Sequence, residues 1–157
     1  MQVGTGSYRY EVIDDFAKLP AGESFGMISR VTTDSKGNLY VFQRKDPAVQ
    51  VFDPEGRWLR SWGTGAFKRP HGLRIVNDVI YMTDQLDNVA LIYTLEGKLL
   101  KEIGNRGQPS DTGCTDWHVL PLRAAGPFNH PTEMMPGPNG DLYVTDGYRN
   151  TRVHRFN

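Results

Sequence analysis

Short strands in which apolar and polar residues alternate recur along the chain. Three of them follow a turn-forming segment and contain a tyrosine, at residues 35–41, 76–82 and 138–144. Each follows a short apolar stretch, at residues 28–31, 71–75 and 132–135. Each precedes a polar turn and another strand, at residues 48–52, 89–93 and 152–156. Alternation with a period of two is typical of half-buried strands, so the pattern predicts an all-β chain.

The first two units continue through a further turn into a fourth strand, at residues 57–62 and 98–103. Tyr40 and Tyr81 are 41 residues apart, and four short antiparallel strands that recur over such a period indicate the blades of a β-propeller. The third unit begins later, with Tyr143 62 residues beyond Tyr81, because a segment rich in Gly, Pro, Asp and Thr intervenes. We interpret that segment as an inserted surface loop rather than a domain boundary.

These units make the chain a single propeller unit of three blades. Its predicted parts are an N-terminal closing strand at 8–16, blade 1 at 26–63, blade 2 at 68–104, an inserted loop at 105–127 and blade 3 at 128–157. Blade 3 lacks its outer strand, since the sequence ends after its third strand. The strand before blade 1 is spare, and a propeller commonly closes its ring with such an N-terminal strand.

Three blades cannot close a ring, so the chain corresponds to half of a six-bladed propeller. Two copies related by a twofold axis would supply six blades, and the spare strand of each could complete the last blade of the other. We therefore predict a homodimer. The alternative is that the chain is a fragment of a longer protein, and the sequence leaves both possibilities open.

Composition excludes several classes of partner. The 18 Lys and Arg residues balance 18 Asp and Glu residues, and basic residues do not cluster around aromatic ones, so nucleic-acid binding is not expected. No apolar run reaches the roughly 18 residues of a membrane-spanning helix, so no membrane partner is expected. Cys114 is alone and no signal peptide is visible, which favours the cytoplasm but leaves the localisation open.

Two patterns resemble known families. The Asp-x-x-x-Asn pattern from Asp84 and from Asp146 is similar to the NHL-type propeller repeat, although the first unit has Gln43 in place of the aspartate. Within that group, three stretches resemble the peptidyl-α-hydroxyglycine α-amidating lyases; they are residues 31–44, residues 70–73 (Pro-His-Gly-Leu), and residues 128–132 with 144–153. They run in the family's order and correspond to the first half of its six-bladed domain.

The resemblance implies an activity and two metal sites. That family cleaves a C-terminal α-hydroxyglycine into a peptide amide and glyoxylate, using a zinc ion that three histidines hold at the mouth of the channel. His71 matches one zinc ligand, and the backbone carbonyls of Val31 and Leu73 match ligands of a structural calcium ion. The other two histidines and a calcium-binding aspartate belong to blades that this sequence does not contain.

The resemblance also assigns two residues to the reaction. Arg44 matches the arginine that orients the substrate, and Tyr148 matches the catalytic base. An arginine fork suits a substrate carboxylate, and a tyrosine can act as a base when nearby positive charge stabilises the phenolate. The family's cysteine pair beside this tyrosine is absent, because Asn129 and Arg149 stand at those positions.

Each candidate also has a structural interpretation. His71 could be a polar loop residue bonded to the backbone, Arg44 could form a salt bridge with Asp46, and Tyr148 could be an exposed turn aromatic. Two acidic residues are expected to shape turns rather than act as catalytic acids, namely Asp84 and Asp146. Three histidines without ligand spacing are expected at the surface, namely His118, His130 and His154.

Two functions of different classes remain. The first is a zinc-dependent lyase of the amidating type, incomplete or of reduced activity as a half-propeller, with a peptide or small molecule at the channel mouth. The second is a non-catalytic NHL-type module that binds protein or peptide on its channel face. Retention of His71, Arg44 and Tyr148 favours the lyase, whereas the missing zinc histidines favour the module. Whether the chain is an enzyme therefore stays open.

Overall fold

The computed structural model describes residues 1–116 and 118–157. These residues form antiparallel strands joined by turns and loops, and no helix among them is long and apolar enough to cross a membrane. The strands are β1 Gln2–Thr5, β2 Tyr8–Glu11, β3 Ile28–Thr33, β4 Leu39–Gln43, β5 Val49–Phe52, β6 Trp58–Trp62, β7 Pro70–Val76, β8 Val79–Asp84, β9 Val89–Thr94, β10 Leu99–Gly104, β11 Glu133–Pro136, β12 Leu142–Asp146 and β13 Arg152–Phe156. The all-β prediction is confirmed.

Strands β3 to β13 form three sheets in chain order. The first sheet has the order β3-β4-β5-β6, the second β7-β8-β9-β10 and the third β11-β12-β13. Tight turns join neighbouring strands; between β7 and β8, Asn77 and Asp78 have φ values of 50° and 58°, as a type I′ turn requires. Strand β7 contacts both β3 and β11, so the first strands of the three sheets form a common inner edge.

The apolar core lies between consecutive sheets. One buried cluster joins the first and second sheets and includes Phe42, Val49 and Leu91. Another joins the second and third sheets around Phe128 and Met134. Both clusters come from the alternating apolar positions of the middle strands, because each strand buries its residues against a neighbouring sheet.

The buried carboxylate of Asp84 anchors the loop that leads into the second sheet. Asp84 ends β8 and is fully buried. It accepts hydrogen bonds from the backbone N–H groups of Lys68 at 2.5 Å, Arg69 at 3.0 Å and Asp87 at 2.9 Å. This side chain therefore holds the start of β7 against the end of β8.

The same anchor recurs in the other two sheets. Asp146 ends β12 and accepts the N–H of Asn129 at 2.9 Å, and the amide of Asn150 donates to the same carboxylate at 2.8 Å. In the first sheet Gln43 ends β4, and its Oε1 accepts the N–H of Gly26 at 2.8 Å. The aspartate of the Asp-x-x-x-Asn pattern thus has a structural role. In the first sheet, which lacks this aspartate, the neutral side chain of Gln43 has the same role.

The N-terminal segment forms a hairpin that the sequence pattern did not predict. Residues Tyr8–Glu11, which begin the predicted closing strand, pair with Gln2–Thr5, and every strand residue of this hairpin is exposed. The chain then returns to the first sheet, where Lys18 bridges Arg57 beside the outer strand and the rings of Phe25 and Phe52 lie 5.9 Å apart. The hairpin therefore stands apart from the three sheets.

The segment between β10 and β11 packs on the third sheet. The hydroxyl of Thr112 donates to the carbonyl of Arg149 at 2.7 Å, and the amide of Asn129 donates to the carbonyl of Ser110 at 2.9 Å. Cys114 is buried within this segment. The insertion thus supports the loop that carries Arg149 and its neighbour Tyr148.

His130 is buried, with 6% of its surface exposed, so the expected surface position is wrong for this residue. It is also wrong for His154, whose side chain is 17% exposed and whose Nε2 lies 3.2 Å from the buried carboxylate of Asp146. The backbone of His130 has a φ of 70°, and its N–H donates to Oδ1 of Asn88 at 3.0 Å. Burial, with a further contribution from the charge of Arg149, lowers the pKa of His130 from 6.5 to about 4. The alternating apolar pattern carries no signal for this burial, because the residue lies in a loop.

This lowered pKa makes stability depend on pH. Between pH 6.5 and 4 the unfolded chain binds a proton at His130 that the folded chain does not. The contribution of neutral His130 to the free energy of unfolding is therefore complete above pH 6.5 and is lost as the pH falls toward 4. We expect the free energy of unfolding to fall by about 2 kcal/mol between pH 7 and pH 5 through this group, measured by urea denaturation. A His130→Asn variant, which suits a positive φ, should lose this portion of the pH dependence. Identical pH profiles for the two proteins would contradict the assignment.

Candidate functional site

A histidine and a tyrosine from different sheets meet at the inner edge. His71 lies on β7, and its Nδ1 is 2.8 Å from the carbonyl oxygen of Thr132, directly before β11. Its Nε2 is 3.2 Å from Oη of Tyr148, and the two rings meet edge to face with centroids 5.5 Å apart. The structure thus brings together two of the predicted site residues.

The close approach of β7 and β11 depends on the residue after His71. A Cβ at Gly72 would lie 2.6 Å from the Thr132 carbonyl oxygen and 2.9 Å from Cα of Glu133. Such distances are far inside van der Waals contact, so a side chain here would push the strands apart. Glycine is therefore what allows the Thr132 carbonyl to reach the imidazole.

The hydrogen bonds fix the state of the imidazole. A carbonyl oxygen can only accept, so Nδ1 carries the proton and the lone pair of Nε2 faces the Tyr148 hydroxyl. Burial lowers the pKa of His71; the bond to Thr132 opposes this, and the positive charges of Arg44, Arg30 and Arg69 reinforce it. The ring is thus neutral at pH 7.

Arg44 extends this pair toward the first sheet. It follows β4, and its Nε donates to the carbonyl of Pro70 at 3.2 Å, while Nη1 is 3.1 Å from Sδ of Met27. The expected alternative, a salt bridge to Asp46, does not form; that carboxylate accepts the N–H of Gly65 at 3.0 Å. Arg44 therefore keeps its charge close to His71.

An ion pair that the sequence did not predict lies beside these residues. Arg30 on β3 and Glu133 on β11 are joined at 2.8 Å, which ties the first sheet to the third. Burial raises the pKa of Glu133, and the nearby charges of Arg30 and Arg74 oppose that shift. Residues about a hundred positions apart give no pairing signal in a single sequence, so only the fold reveals this contact.

Val31 and Leu73 lie on the neighbouring inner strands β3 and β7. Val31 is opposite Val41 and Leu73 is opposite Met82 in the ladders. The hydrogen bonding of the β3–β4 and β7–β8 turns makes both pairs non-hydrogen-bonded, so these carbonyls point away from their own sheets. Two carbonyl oxygens on the inner edge suit a hard cation such as calcium, which needs six to eight oxygen ligands in all.

Among the candidate residues, His71 could supply one nitrogen ligand to a zinc ion. Histidine ligands of metals generally donate their second N–H to a carbonyl or carboxylate, as Nδ1 of His71 does, and leave the other nitrogen for the ion. Among residues 1–116 and 118–157 there is no group of three His, Cys, Asp or Glu side chains able to hold a metal. A complete zinc site would therefore need donors from outside this part of the chain.

Curated proteins with similar sequences are named as α-amidating lyases or α-amidating monooxygenases. Peptidyl-α-hydroxyglycine α-amidating lyase 2 of Drosophila melanogaster is 26% identical over 85% of this chain and 37% of its own length. Peptidyl-glycine α-amidating monooxygenase of Mus musculus is 30% identical over 99% of this chain and 18% of its own length. The chain resembles the amidating lyases. The predicted resemblance is thus confirmed, and the chain spans less than two fifths of these relatives.

Other comparisons define the extent of this likeness. NHL repeat-containing protein 3 of Homo sapiens is 27% identical over 74% of the chain and 34% of its own length. No protein-family model matches the chain. The sequence similarity is therefore to amidating lyases and to NHL-type proteins at low identity.

Solved structures with a similar fold are lyases named for other substrates. Virginiamycin B lyase from Staphylococcus aureus has a TM-score of 0.57 at 20% identity, over 83% of this chain and 38% of that protein. A streptogramin B lyase has a TM-score of 0.53 at 12% identity, over 82% of this chain and 40% of that protein. At such identities the likeness concerns the fold alone, and it identifies the sheets as propeller-like.

Proposed function

We propose that the chain supplies part of a zinc-dependent lyase site that releases glyoxylate from a peptidyl-α-hydroxyglycine. The observation that carries this proposal is the meeting of His71 and Tyr148, with the charge of Arg44 beside them. Sequence similarity to an amidating lyase supports the same chemistry. The sequence resemblance assigns each of these residues a role in such a site.

Chain residues have separate roles in the proposed reaction. Arg44 binds the substrate carboxylate through its guanidinium group. After its own proton has passed to solvent, Tyr148 accepts the proton of the substrate hydroxyl; the carbon–oxygen double bond of glyoxylate forms as the C–N bond breaks, and that same proton is passed on to the amide nitrogen. Bound zinc would act as a Lewis acid toward that hydroxyl. His71 would hold it through Nε2 in place of the hydrogen bond with the Tyr148 hydroxyl, while the Thr132 carbonyl orients the ring.

We propose a structural role for calcium between the first and second sheets. The carbonyls of Val31 and Leu73 would supply two of its ligands, and the others would come from outside these two sheets. The ion would fix the spacing of β3 and β7, and so the distance between Arg30 and His71. Metal analysis of the purified protein would measure calcium and zinc together.

The assay for this function is glyoxylate release from α-hydroxyhippurate with zinc present. Release that depends on zinc would support the proposal, and its absence from protein containing stoichiometric zinc would refute it. Similarity to an NHL repeat-containing protein, whose name specifies no reaction, favours a second candidate, a peptide-binding module. Peptide binding without zinc uptake or glyoxylate release would select that module.

We further propose that two chains complete one six-bladed ring, each contributing three blades. The third sheet has three strands, and among the residues that the structure describes the N-terminal hairpin forms a separate two-stranded sheet. An unpaired sheet edge and an exposed strand can pair between copies. Such a dimer would bring a second set of donors toward the axis.

Light scattering tests this assembly. We expect a mass twice the 17.7 kDa of one chain, and we expect removal of residues 1–11 to return it to one chain. The hairpin residues are exposed, so their loss should leave the circular dichroism of the sheets unchanged. A Leu59→Ser variant, which changes an exposed residue of β6, serves as the control. A monomeric mass for the unmodified chain would exclude the dimer.

A further inference from the structure

Met27 is an exposed methionine that contacts the candidate site. It lies directly before β3, and 66% of its surface is exposed. Its Sδ is 3.1 Å from Nη1 of Arg44, and its backbone carbonyl accepts the N–H of Arg44 at 2.9 Å. The two residues are thus neighbours through both main chain and side chain, although 17 positions separate them in the sequence.

The five methionines of the chain differ widely in exposure. Met82 and Met134 lie in the apolar core and are fully buried, whereas Met135 on β11 is 44% exposed. Met1, the first residue, is 79% exposed. Because an oxidant must reach the lone pair of the sulfur, Met27 should react well before the two core methionines.

Hydrogen peroxide converts an accessible thioether into a sulfoxide. One oxygen atom passes from the peroxide to Sδ as the O–O bond breaks; the sulfur loses two electrons, and the peroxide is reduced to water. Methionine sulfoxide reductases reverse the change, so it can act as a switch. The product replaces an apolar thioether with a polar group whose oxygen is a strong hydrogen-bond acceptor.

The contact with Arg44 gives this oxidation a local consequence. A thioether is a weak acceptor, so Nη1 stays available to a stronger one such as a carboxylate. An N–H···O bond needs about 2.7–3.2 Å between nitrogen and oxygen, so a sulfoxide oxygen cannot lie between Sδ and Nη1 at their present separation of 3.1 Å. For Nη1 to bond this oxygen, the guanidinium has to move. Its bond from Nε to the carbonyl of Pro70, already 3.2 Å long, then lengthens.

We propose that Met27 is a reversible oxidation site whose sulfoxide binds Nη1 of Arg44 and withdraws this arginine from the substrate carboxylate. The thioether form leaves the arginine available, and the sulfoxide form occupies it. The effect on the substrate rests on the proposed function, because that function assigns the carboxylate to Arg44. The modification and the movement of the guanidinium do not depend on it.

Limited treatment of the folded protein with hydrogen peroxide tests the reactivity of Met27. Peptide mapping by mass spectrometry measures the gain of one oxygen atom at each methionine. We expect complete oxidation of Met27 while Met82 and Met134 remain thioethers. Equal rates for Met27 and the two core methionines would overturn the proposal, since it requires an accessible sulfur.

NMR of the oxidised protein tests the contact without any substrate. The Nε–H signal of Arg44, assigned by its absence from an Arg44→Lys variant, should shift on oxidation and return after treatment with methionine sulfoxide reductase. Met27→Leu keeps an apolar side chain of similar volume, so peroxide should leave the signal of this variant unchanged. Oxidation of Met27 without a shift at Arg44 would also overturn the proposal.

Calorimetry with hippurate, which has the carboxylate but no reacting hydroxyl, tests the effect on the ligand. We expect oxidation to weaken binding about tenfold, as the loss of one charge-assisted hydrogen bond predicts. Met27→Gln, whose amide oxygen resembles the sulfoxide, should weaken binding as well, and peroxide-treated Met27→Leu should not. Equal binding by the oxidised and reduced forms overturns the switch. If the Arg44 signal shifts but neither form binds hippurate, the oxidation site is supported and the carboxylate role of Arg44 is refuted.

Discussion

A His71→Ala variant is expected to lose stoichiometric zinc uptake and at least about 100-fold of glyoxylate release. The Thr132 carbonyl already fixes Nδ1 of the imidazole, so Nε2 can bind an ion without rotation of the ring once the Tyr148 hydroxyl, 3.2 Å away, has left its lone pair. Loss of a partner that merely orients a metal ligand costs about 10–100-fold, and loss of the ligand should cost more. Metal analysis and the glyoxylate assay measure the two effects.

Matched variants distinguish the loss of a zinc ligand from the effect of removing any histidine. His118→Ala removes an exposed imidazole and should leave zinc content and glyoxylate release unchanged. Tyr148→Phe keeps the aromatic contact with His71 but removes the hydroxyl, so we expect normal zinc content with about 100-fold slower release. Zinc content unchanged in His71→Ala would end the lyase proposal, because the proposal assigns no other described residue as a zinc ligand.

An Asp84→Ala variant is expected to destabilise the fold by about 3–5 kcal/mol. The carboxylate is fully buried and accepts three backbone N–H groups, which would lose their partner together. Each buried donor without an acceptor costs about 1–3 kcal/mol, and relaxation of the loop recovers part of the sum. Urea denaturation with circular dichroism measures the change.

The controls for this prediction are one exposed aspartate and a milder substitution at Asp84. Asp84→Asn keeps one acceptor oxygen and should cost less than Asp84→Ala. Asp14→Ala changes an exposed side chain, so its effect should stay within about 0.5 kcal/mol. Equal stabilities for Asp84→Ala and Asp14→Ala would contradict the anchoring role, and would also remove the explanation given for the repeated pattern.

Local alternation was enough to predict the middle strands of the sheets. Tyr40, Tyr81 and Tyr143 lie on β4, β8 and β12, because a period of two and flanking turns are properties of short segments. The N-terminal hairpin was missed, since residues 2–5 are too short and too polar to give an alternating signal. Strand prediction thus succeeded where burial on a sheet face constrains the sequence.

Prediction of the site depended on resemblance rather than on residue spacing. His71 and Tyr148 belong to different sheets, and nothing local connects them. The partners that support them are less visible still: Thr132 acts through its backbone carbonyl, which any residue has, and Glu133 pairs with Arg30 across the inner edge. Single-sequence reasoning can find reactive side chains but not the backbone groups that orient them.

The distances along the chain that the site spans have a consequence for folding. His71 is 61 residues from Thr132 and 77 from Tyr148, so both of its ring nitrogens acquire partners only when the third sheet has docked. Contacts between such distant residues form late, because closing long loops is entropically unfavourable. The protonation state of this one imidazole, followed by NMR during refolding, would therefore report the last assembly step and distinguish a complete chain from one with two sheets formed.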